Sequence, residues 1–390
     1  MNTCARSGSR KDINGWNTSE VTVMDSIVVT GMGWATALGS NMDRVWSRLL
    51  EGRSGIEELP SDLKLKNQKA AYIADPTPLS YKQKLLSLTD TALLNTLNDS
   101  NFQDGKFQRK YLVIGTSLGY RLDSIDHFDE SLDQWLADVA IPPGFTPILL
   151  STACSSGSDA ILVGQELIRS GMADYCLCGG SDILGPSKRL AHTALGTMSA
   201  TNLKAFDQGH DGTILGEGAG LVALEVEGRA GVTPLARLRG CGSANDAAGL
   251  TAPDENGEGI RLAIERSLSD AGMRVPDIDL ISAHGSGTFT NDRVESEALT
   301  NVFAQTHPIV CATKGAFGHT LGATGALEAI ALINSLHKGM VPPIANMTRP
   351  MDLPRLRLSL GDPINNTISV GLSLTIGFGG FNTSLIFSRF

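Results

Sequence analysis

A cysteine, two histidines, a lysine and a glutamate stand in settings where side chains do chemistry. Cys154 lies in Ser151-Thr152-Ala153-Cys154-Ser155-Ser156-Gly157. An apolar run from Pro147 to Leu150 leads in, and Ala160, Ile161, Gly164, Leu167 and Ile168 share one helical face beyond it. The cysteine is therefore expected where a buried strand turns sharply into a helix. Small neighbours let another molecule approach the sulfur, and the unpaired N–H groups of a helix start favour thiolate over thiol. On these residues alone, a nucleophile and a buried structural cysteine are equally good readings. Two distant histidines tip the balance toward a nucleophile. His284 sits in Ala283-His284-Gly285-Ser286-Gly287-Thr288, and His319 in Lys314-Gly315-Ala316-Phe317-Gly318-His319. Each ends or follows an apolar strand pattern and has glycine beside it, and imidazole accepts or donates a proton near neutral pH.

Taken in order, these motifs resemble the elongating beta-ketoacyl-acyl-carrier-protein synthases. The resemblance runs from about residue 25 to the C-terminus. It rests on Cys154 with its surround, His284 in its glycine-rich segment, Lys314 and His319 in Lys-Gly-x-x-Gly-His-x-x-Gly-Ala-x-Gly, and Gly377-Phe378-Gly379-Gly380-Phe381-Asn382. It implies an α/β thiolase-like fold, two duplicated α/β halves stacked in five layers. It also implies a two-stage reaction. An acyl group passes from a carrier-protein thioester to Cys154, and a malonyl thioester then loses carbon dioxide and attacks that acyl group. In the implied site His284 and His319 donate to the malonyl thioester oxygen, and the backbone N–H groups of Cys154 and Phe378 form an oxyanion hole. Lys314, by default a surface lysine, is implied to be buried and paired with Glu328. Thr288, Thr313, Thr375, Phe378 and Phe381 are expected at the substrate pocket. Asp207, Asp292 and Glu295 are expected to cap helices and fix loops. No metal or resident cofactor is implied, because the phosphopantetheine arm belongs to a partner acyl carrier protein. A homodimer is expected, or a heterodimer with a related subunit.

The chain also departs from that pattern. The stretch from Gly119 to Cys154 is short, and its segment Tyr120–Trp135 reads as one acidic amphipathic helix. Phe381 stands where threonine is usual, either narrowing the pocket or filling the space of the deletion. Ser286 is a milder change. These features suggest specialised fatty-acid or polyketide synthesis. Two alternatives stand beside condensation: an acyl-cysteine transferase without chain extension, and a pocket-shaping subunit of a heterodimer. Carrier proteins of this kind are acidic, so docking needs local positive charge. Lys64, Lys66 and Lys69 form one candidate cluster, Lys188 and Arg189 another, and a solvated face is an equal reading of each.

The elements that must hold these residues follow from composition and periodicity. The chain has 390 residues, 43 of them glycine, and a net charge of −9 that argues against general nucleic-acid binding. No apolar run is long enough to span a bilayer, and the N-terminus has no signal core. The six cysteines have neither zinc-ligand spacing nor disulfide density, which points to a reducing cytoplasm. Residues 1–24 read as a flexible tail with Met24 as the expected native start, followed by halves at 25–232 and 233–390. Strands are expected at 26–33, 111–116, 147–152, 174–179, 219–226, 235–243, 278–283, 308–313, 367–374 and 383–388. Helices are expected at 41–51, 159–170, 257–272, 293–304 and 323–338. Gly31-Met32-Gly33 hints at a dinucleotide fingerprint but lacks its third glycine, and is read as a tight strand-to-helix turn. The segments running from Cys154 to Met172 and from His319 to Met340 look like two copies of one unit, packed through a shared helical layer.

Overall fold

A computed structural model describes residues 26–124, 131–228 and 232–390. The expected tail at 1–24 and the centre of the expected helix after Tyr120 lie outside these residues. The first half contributes β1 (Ile27–Ala35), β2 (Lys110–Gly115), β3 (Phe145–Leu150), β4 (Tyr175–Asp182) and β5 (Gly218–Val226). The second contributes β6 (Ala236–Asn245), β7 (Leu280–Ser282), β8 (Ile309–Cys311), β9 (Arg357–Leu358), β10 (Val370–Gly377) and β11 (Phe381–Arg389).

These strands are hydrogen-bonded in the order β9-β8-β7-β10-β11-β6-β1-β5-β4-β2-β3. Ile27–Val29 of β1 pair with Ala236–Leu238 of β6 and form the seam. Outward from the seam both halves follow one plan. Each seam strand has an antiparallel neighbour, then a second antiparallel step, then two parallel strands, to which the second half adds β9 as a third. The halves are expected to pack sheet to sheet through a shared helical layer; the seam joins them edge to edge as well.

Helices α3 (Ser156–Arg169) and α8 (Thr324–Lys338) pack on each other and on strands of both halves. They form the central layer. Thr324–Leu336 of α8 are all buried, as a helix enclosed on every side requires. Helix α2 (Tyr81–Asp99) covers β1 and β5 on one outer face, and α5 (Glu258–Ala271) covers β6 and β11 on the other, with α6 (Phe289–Val302) beside it. The result is five layers.

Glycines set the spacing of the central pair. A Cβ at Gly157 would meet Gly322 O at 2.9 Å, and one at Gly325 would meet Ser158 N at 2.9 Å. The helix starts therefore touch backbone to backbone. Gly31 and Gly33 correct an expectation: both lie inside β1, not at a turn. A Cβ at Gly33 would come within 2.2 Å of Ala92 O, so glycine is present because α2 lies directly on the strand. Helix α2 starts with a capping box in which Ser80 and Gln83 satisfy each other's backbone N–H groups.

The described ends of the stretch after Tyr120 are 3-10 turns at Arg121–Asp123 and Gln134–Asp138, not one continuous amphipathic helix. Trp135 and Leu136 are buried there.

Candidate active site

The sulfur of Cys154 is placed by a strained turn. Strand β3 ends at Leu150, a 3-10 turn spans Ala153–Ser155, and α3 follows at once. Ala153 takes φ 52°, a left-handed conformation that costs a non-glycine residue about 1 kcal/mol or more. Hydroxyls hold the turn: Thr152 Oγ1 and Ser155 Oγ donate to Asp159 Oδ2 at 2.6 and 3.1 Å, while Thr383 Oγ1 donates to Oδ1 at 2.5 Å. The same device recurs at the second histidine. Leu321 takes φ 53° in the turn Leu321–Ala323 that opens α8. Cys154 and Gly322 thus occupy matching places in the two halves.

Burial pushes the Cys154 thiol up to about 11, against the Phe378 backbone N–H that bonds the sulfur and the nearby Lys314 cation. A helix start was expected to favour the thiolate; here desolvation outweighs the groups that stabilise the anion. The resting group at neutral pH is therefore the thiol.

His284 follows β7 and is 3 % exposed. Its backbone N–H and that of Gly285 donate to the Glu295 carboxylate at 2.6 and 2.8 Å, which fixes the loop to α6. Burial and then Asp292 push the Glu295 carboxyl up to about 8. Asp292 accepts from Phe206 N and Gly287 N at 2.8 and 3.0 Å. Both acids fix loops, as expected from their place in the chain.

Lys314 opens the short helix α7 (Lys314–Phe317) and is 1 % exposed. Its Nζ lies 2.5 Å from Glu328 Oε1 and 3.1 Å from His284 Nδ1, and it also donates to the His284 carbonyl. Burial raises Glu328 to about 7, with the Lys314 cation and hydrogen bond acting the other way.

The bonding fixes both tautomers. An ammonium has no acceptor, so Nδ1 of His284 accepts and its proton sits on Nε2. Nδ1 of His319 accepts from Leu321 N at 3.1 Å, so its proton also sits on Nε2. Burial first, and then Lys314, hold both imidazoles well below their usual range. The rings are neutral, 5.4 Å apart between centroids and nearly perpendicular at 84°.

Cys154, His284 and His319 line one cavity of about 320 Å³, together with Thr288, Gly377 and Phe378. Thr313, Thr375 and Phe381 were expected there and do not line it. Thr375 is fully buried, bonded to Ser158 Oγ at 2.8 Å and to Glu328 Oε2 at 3.4 Å, and so supports the site from behind. Thr313 is buried at the start of α7. The Phe381 ring lies against Gly379, where a Cβ would meet it at 3.1 Å.

One candidate docking cluster is overturned. Lys188 and Arg189 are each 5 % exposed. Lys188 Nζ pairs with Asp182 and donates to Gly119 O and Ile183 O at 2.7 and 2.9 Å. Arg189 Nη2 donates to Leu59 O and Gln68 O at 3.1 and 3.0 Å. Lys64 and Lys66 are exposed, and half-buried Lys69 donates to Thr201 O at 3.1 Å. Sequence reasoning also missed His192, which lines the cavity from the end of α4 (Pro186–Ala194). No group of metal-ligating side chains occurs among the described residues, and no helix there is long and apolar enough to cross a membrane.

Known proteins share this arrangement. The beta-ketoacyl synthase N-terminal domain matches residues 24–91 and 146–230, and the C-terminal domain matches 235–348. Nodulation protein E of Rhizobium meliloti is 30% identical over 93% of this chain and 99% of its own length. The 3-oxoacyl-acyl-carrier-protein synthase 2 of Mycobacterium bovis is 27% identical over 93% of this chain and 97% of its own. Among solved structures, the ishigamide ketosynthase/chain length factor superposes with TM-score 0.85 at 26% identity, covering 94% of this chain and 100% of that one. A ketosynthase from Xenorhabdus doucetiae in complex with its chain length factor gives TM-score 0.78 at 27% identity, covering 96% and 100%. With both domains matched and the strand plan, nucleophile turn and histidine pair in place, the chain belongs to the beta-ketoacyl synthase family.

Proposed function

We propose that this protein is a decarboxylative condensing enzyme fed by an acyl carrier protein. The acyl group leaves its phosphopantetheine sulfur for Cys154 Sγ, and the cysteine proton ends on the departing thiol. A malonyl thioester then enters. Its carboxylate leaves as carbon dioxide, and the electron pair of the broken C–C bond forms an enolate. That carbon attacks the acyl carbon, the bond to Sγ breaks, and the product is a 3-oxoacyl thioester two carbons longer.

One observation carries this reading: both cavity imidazoles are fixed with their protons on Nε2, beside a buried cysteine. Two neutral donors suit an enolate oxygen, and a well-placed donor of this kind is worth about 3–4 kcal/mol. The Phe378 N–H at the sulfur, joined by that of Cys154, suits the oxyanion formed on the acyl carbon. Lys314 and Glu328 act as positioning residues, holding His284 in its tautomer. Thr288 is assigned to the pantetheine channel. The chain brings no cofactor of its own and works in the cytoplasm, within specialised fatty-acid or polyketide synthesis.

Incubation with acyl- and malonyl-carrier protein, followed by intact-mass analysis, tests the proposal. An acyl adduct on Cys154, malonyl-dependent carbon dioxide release and loss of the adduct in Cys154→Ala are expected. An adduct without extension would favour a plain acyltransferase. For assembly, the similar solved structures named with chain length factors favour a heterodimer over a homodimer. A native-mass dimer of this chain alone, active without a second subunit, would reverse that choice.

A further inference from the structure

Four neighbouring rings line the cavity. Centroids are 5.4 Å apart from His284 to His319, 6.5 Å from His319 to His192 and 5.6 Å from His192 to Phe378. The first two rings face the malonyl chemistry, and the backbone of the last meets the Cys154 sulfur. His192 is not used by either step.

Its setting is built. The ring is stacked on Phe378 with planes 18° apart, and the residue is 8 % exposed. Nδ1 lies 2.9 Å from Thr197 Oγ1, and both Oγ1 and N of Thr197 bond the His192 carbonyl at 3.1 Å. The Thr197 hydroxyl donates to that carbonyl, so Nδ1 carries the imidazole proton and donates to Oγ1, while Nε2 has no partner among the described residues and is a hydrogen-bond acceptor open to the cavity. Burial, and then Lys188 one turn earlier, lower its pKa to about 4. A neutral ring so far from titrating at pH 7 is a poor proton carrier. What it offers the cavity is a hydrogen bond.

We infer that His192 is a specificity-determining residue that accepts a hydrogen bond from a hydroxyl on the third carbon of the acyl chain held by Cys154, so that 3-hydroxyacyl chains load in preference to saturated and 3-oxoacyl ones. The inference rests on the condensing-enzyme reading. Position selects the acyl chain: Phe378 meets the sulfur with its N–H and the His192 ring with its own ring, 5.6 Å between centroids, so His192 lies at the nucleophile's end of the cavity. The third carbon is the first position beyond the thioester carbonyl and its α-carbon. A saturated or 3-oxo chain would cover the cavity-facing Nε2 without giving it a donor, and sites built around a substrate hydrogen bond reject analogues that lack it far more strongly than sites that measure a methylene.

The test compares butyryl-, 3-hydroxybutyryl- and 3-oxobutyryl-pantetheine as acyl donors to Cys154, followed by intact mass without malonyl thioester. The wild type is expected to load the 3-hydroxybutyryl donor roughly tenfold or more faster than butyryl or 3-oxobutyryl. His192→Phe should abolish or invert that ratio, and His192→Gln should keep it. The ratio is internal to each protein, so a fold defect that slows all donors does not mimic the effect. Equal loading by the wild type, or an unchanged ratio in His192→Phe, overturns the inference and leaves condensation standing. Absence of an adduct from every donor sinks both.

Discussion

The Nζ of Lys314 lies 3.1 Å from Nδ1 of His284 and 2.5 Å from a carboxylate oxygen of Glu328, all three side chains being buried. One cation therefore sets the tautomer of a cavity histidine and balances a buried acid. Replacing Lys314 by methionine should cost about 3–5 kcal/mol of stability, because Glu328 is left unpaired. It should also lower malonyl decarboxylation, because His284 can then move its proton to Nδ1. The double variant Lys314→Met, Glu328→Gln should regain part of the stability and none of the decarboxylation. Urea melts and carbon dioxide release read the two effects separately.

The Cys154 thiol, pushed up to about 11 by burial, gives a direct pH signature. The thiolate fraction should rise about tenfold per pH unit from neutrality toward pH 10. Alkylation of Cys154 by iodoacetamide should follow that slope without a plateau near neutral pH. A plateau below pH 8 would mean that the helix start and Phe378 outweigh desolvation.

His192 links stability to acid. Its folded pKa, about 4, lies below the unfolded value near 6.5. The unfolded chain therefore binds the extra proton between those values, and stability present above pH 6.5 is lost as pH falls through 4. The shift corresponds to about 3 kcal/mol at most. His192→Phe should melt with a shallower pH dependence than the wild type over that window. Identical slopes would place the ring in contact with water.

Much of this site could be read from sequence because its chemistry is local. Cys154 and His284 follow buried strands within four residues, and His319 follows β8 after the single-turn helix α7, so strand, turn and helix succeed one another over short stretches of chain. Side chains placed by long-range packing were not readable in that way. Lys188 and Arg189 look like surface charge, yet their partners are backbone carbonyls at Gly119, Leu59 and Gln68, far off in the chain. Phe381 sits in the right motif and Thr375 just before it, but neither lines the cavity: Thr375 turns to Ser158 and Glu328, and Phe381 lies against Gly379. Gly31 looks like a turn because the helix that requires its missing side chain begins at Tyr81. The Ser80/Gln83 box announces that helix, and was the overlooked signal.

The helix starts at the centre of the molecule make a further prediction. A Cβ on Gly157 would stand 2.9 Å from Gly322 O and 3.0 Å from Ala326 N, both backbone atoms that cannot swing aside. Gly157→Ala should cost about 1–3 kcal/mol by overpacking. It should also shift the turn carrying Cys154, so acyl transfer falls more than the melting temperature suggests. Gly171→Ala is the control for the helix ends. That glycine has φ 70° but nothing near its would-be Cβ, so the cost should be conformational alone and acyl transfer unchanged in the folded fraction.

Carrier-protein docking separates the two lysine clusters. Lys64 and Lys66 point to solvent on the loop whose ends, Leu59 and Gln68, are tied down by Arg189. Charge reversal in Lys64→Glu, Lys66→Glu should raise the KM for an acidic carrier protein several-fold, leave kcat and stability in place, and weaken the salt dependence of KM. Arg189→Ala should behave differently, because the loop loses its anchor at two carbonyls. The melting temperature should fall, and KM should rise through loop disorder that added salt does not mimic. If charge reversal leaves KM unchanged while Arg189→Ala raises it, the loop contributes shape and not charge, and the carrier protein is held by another face.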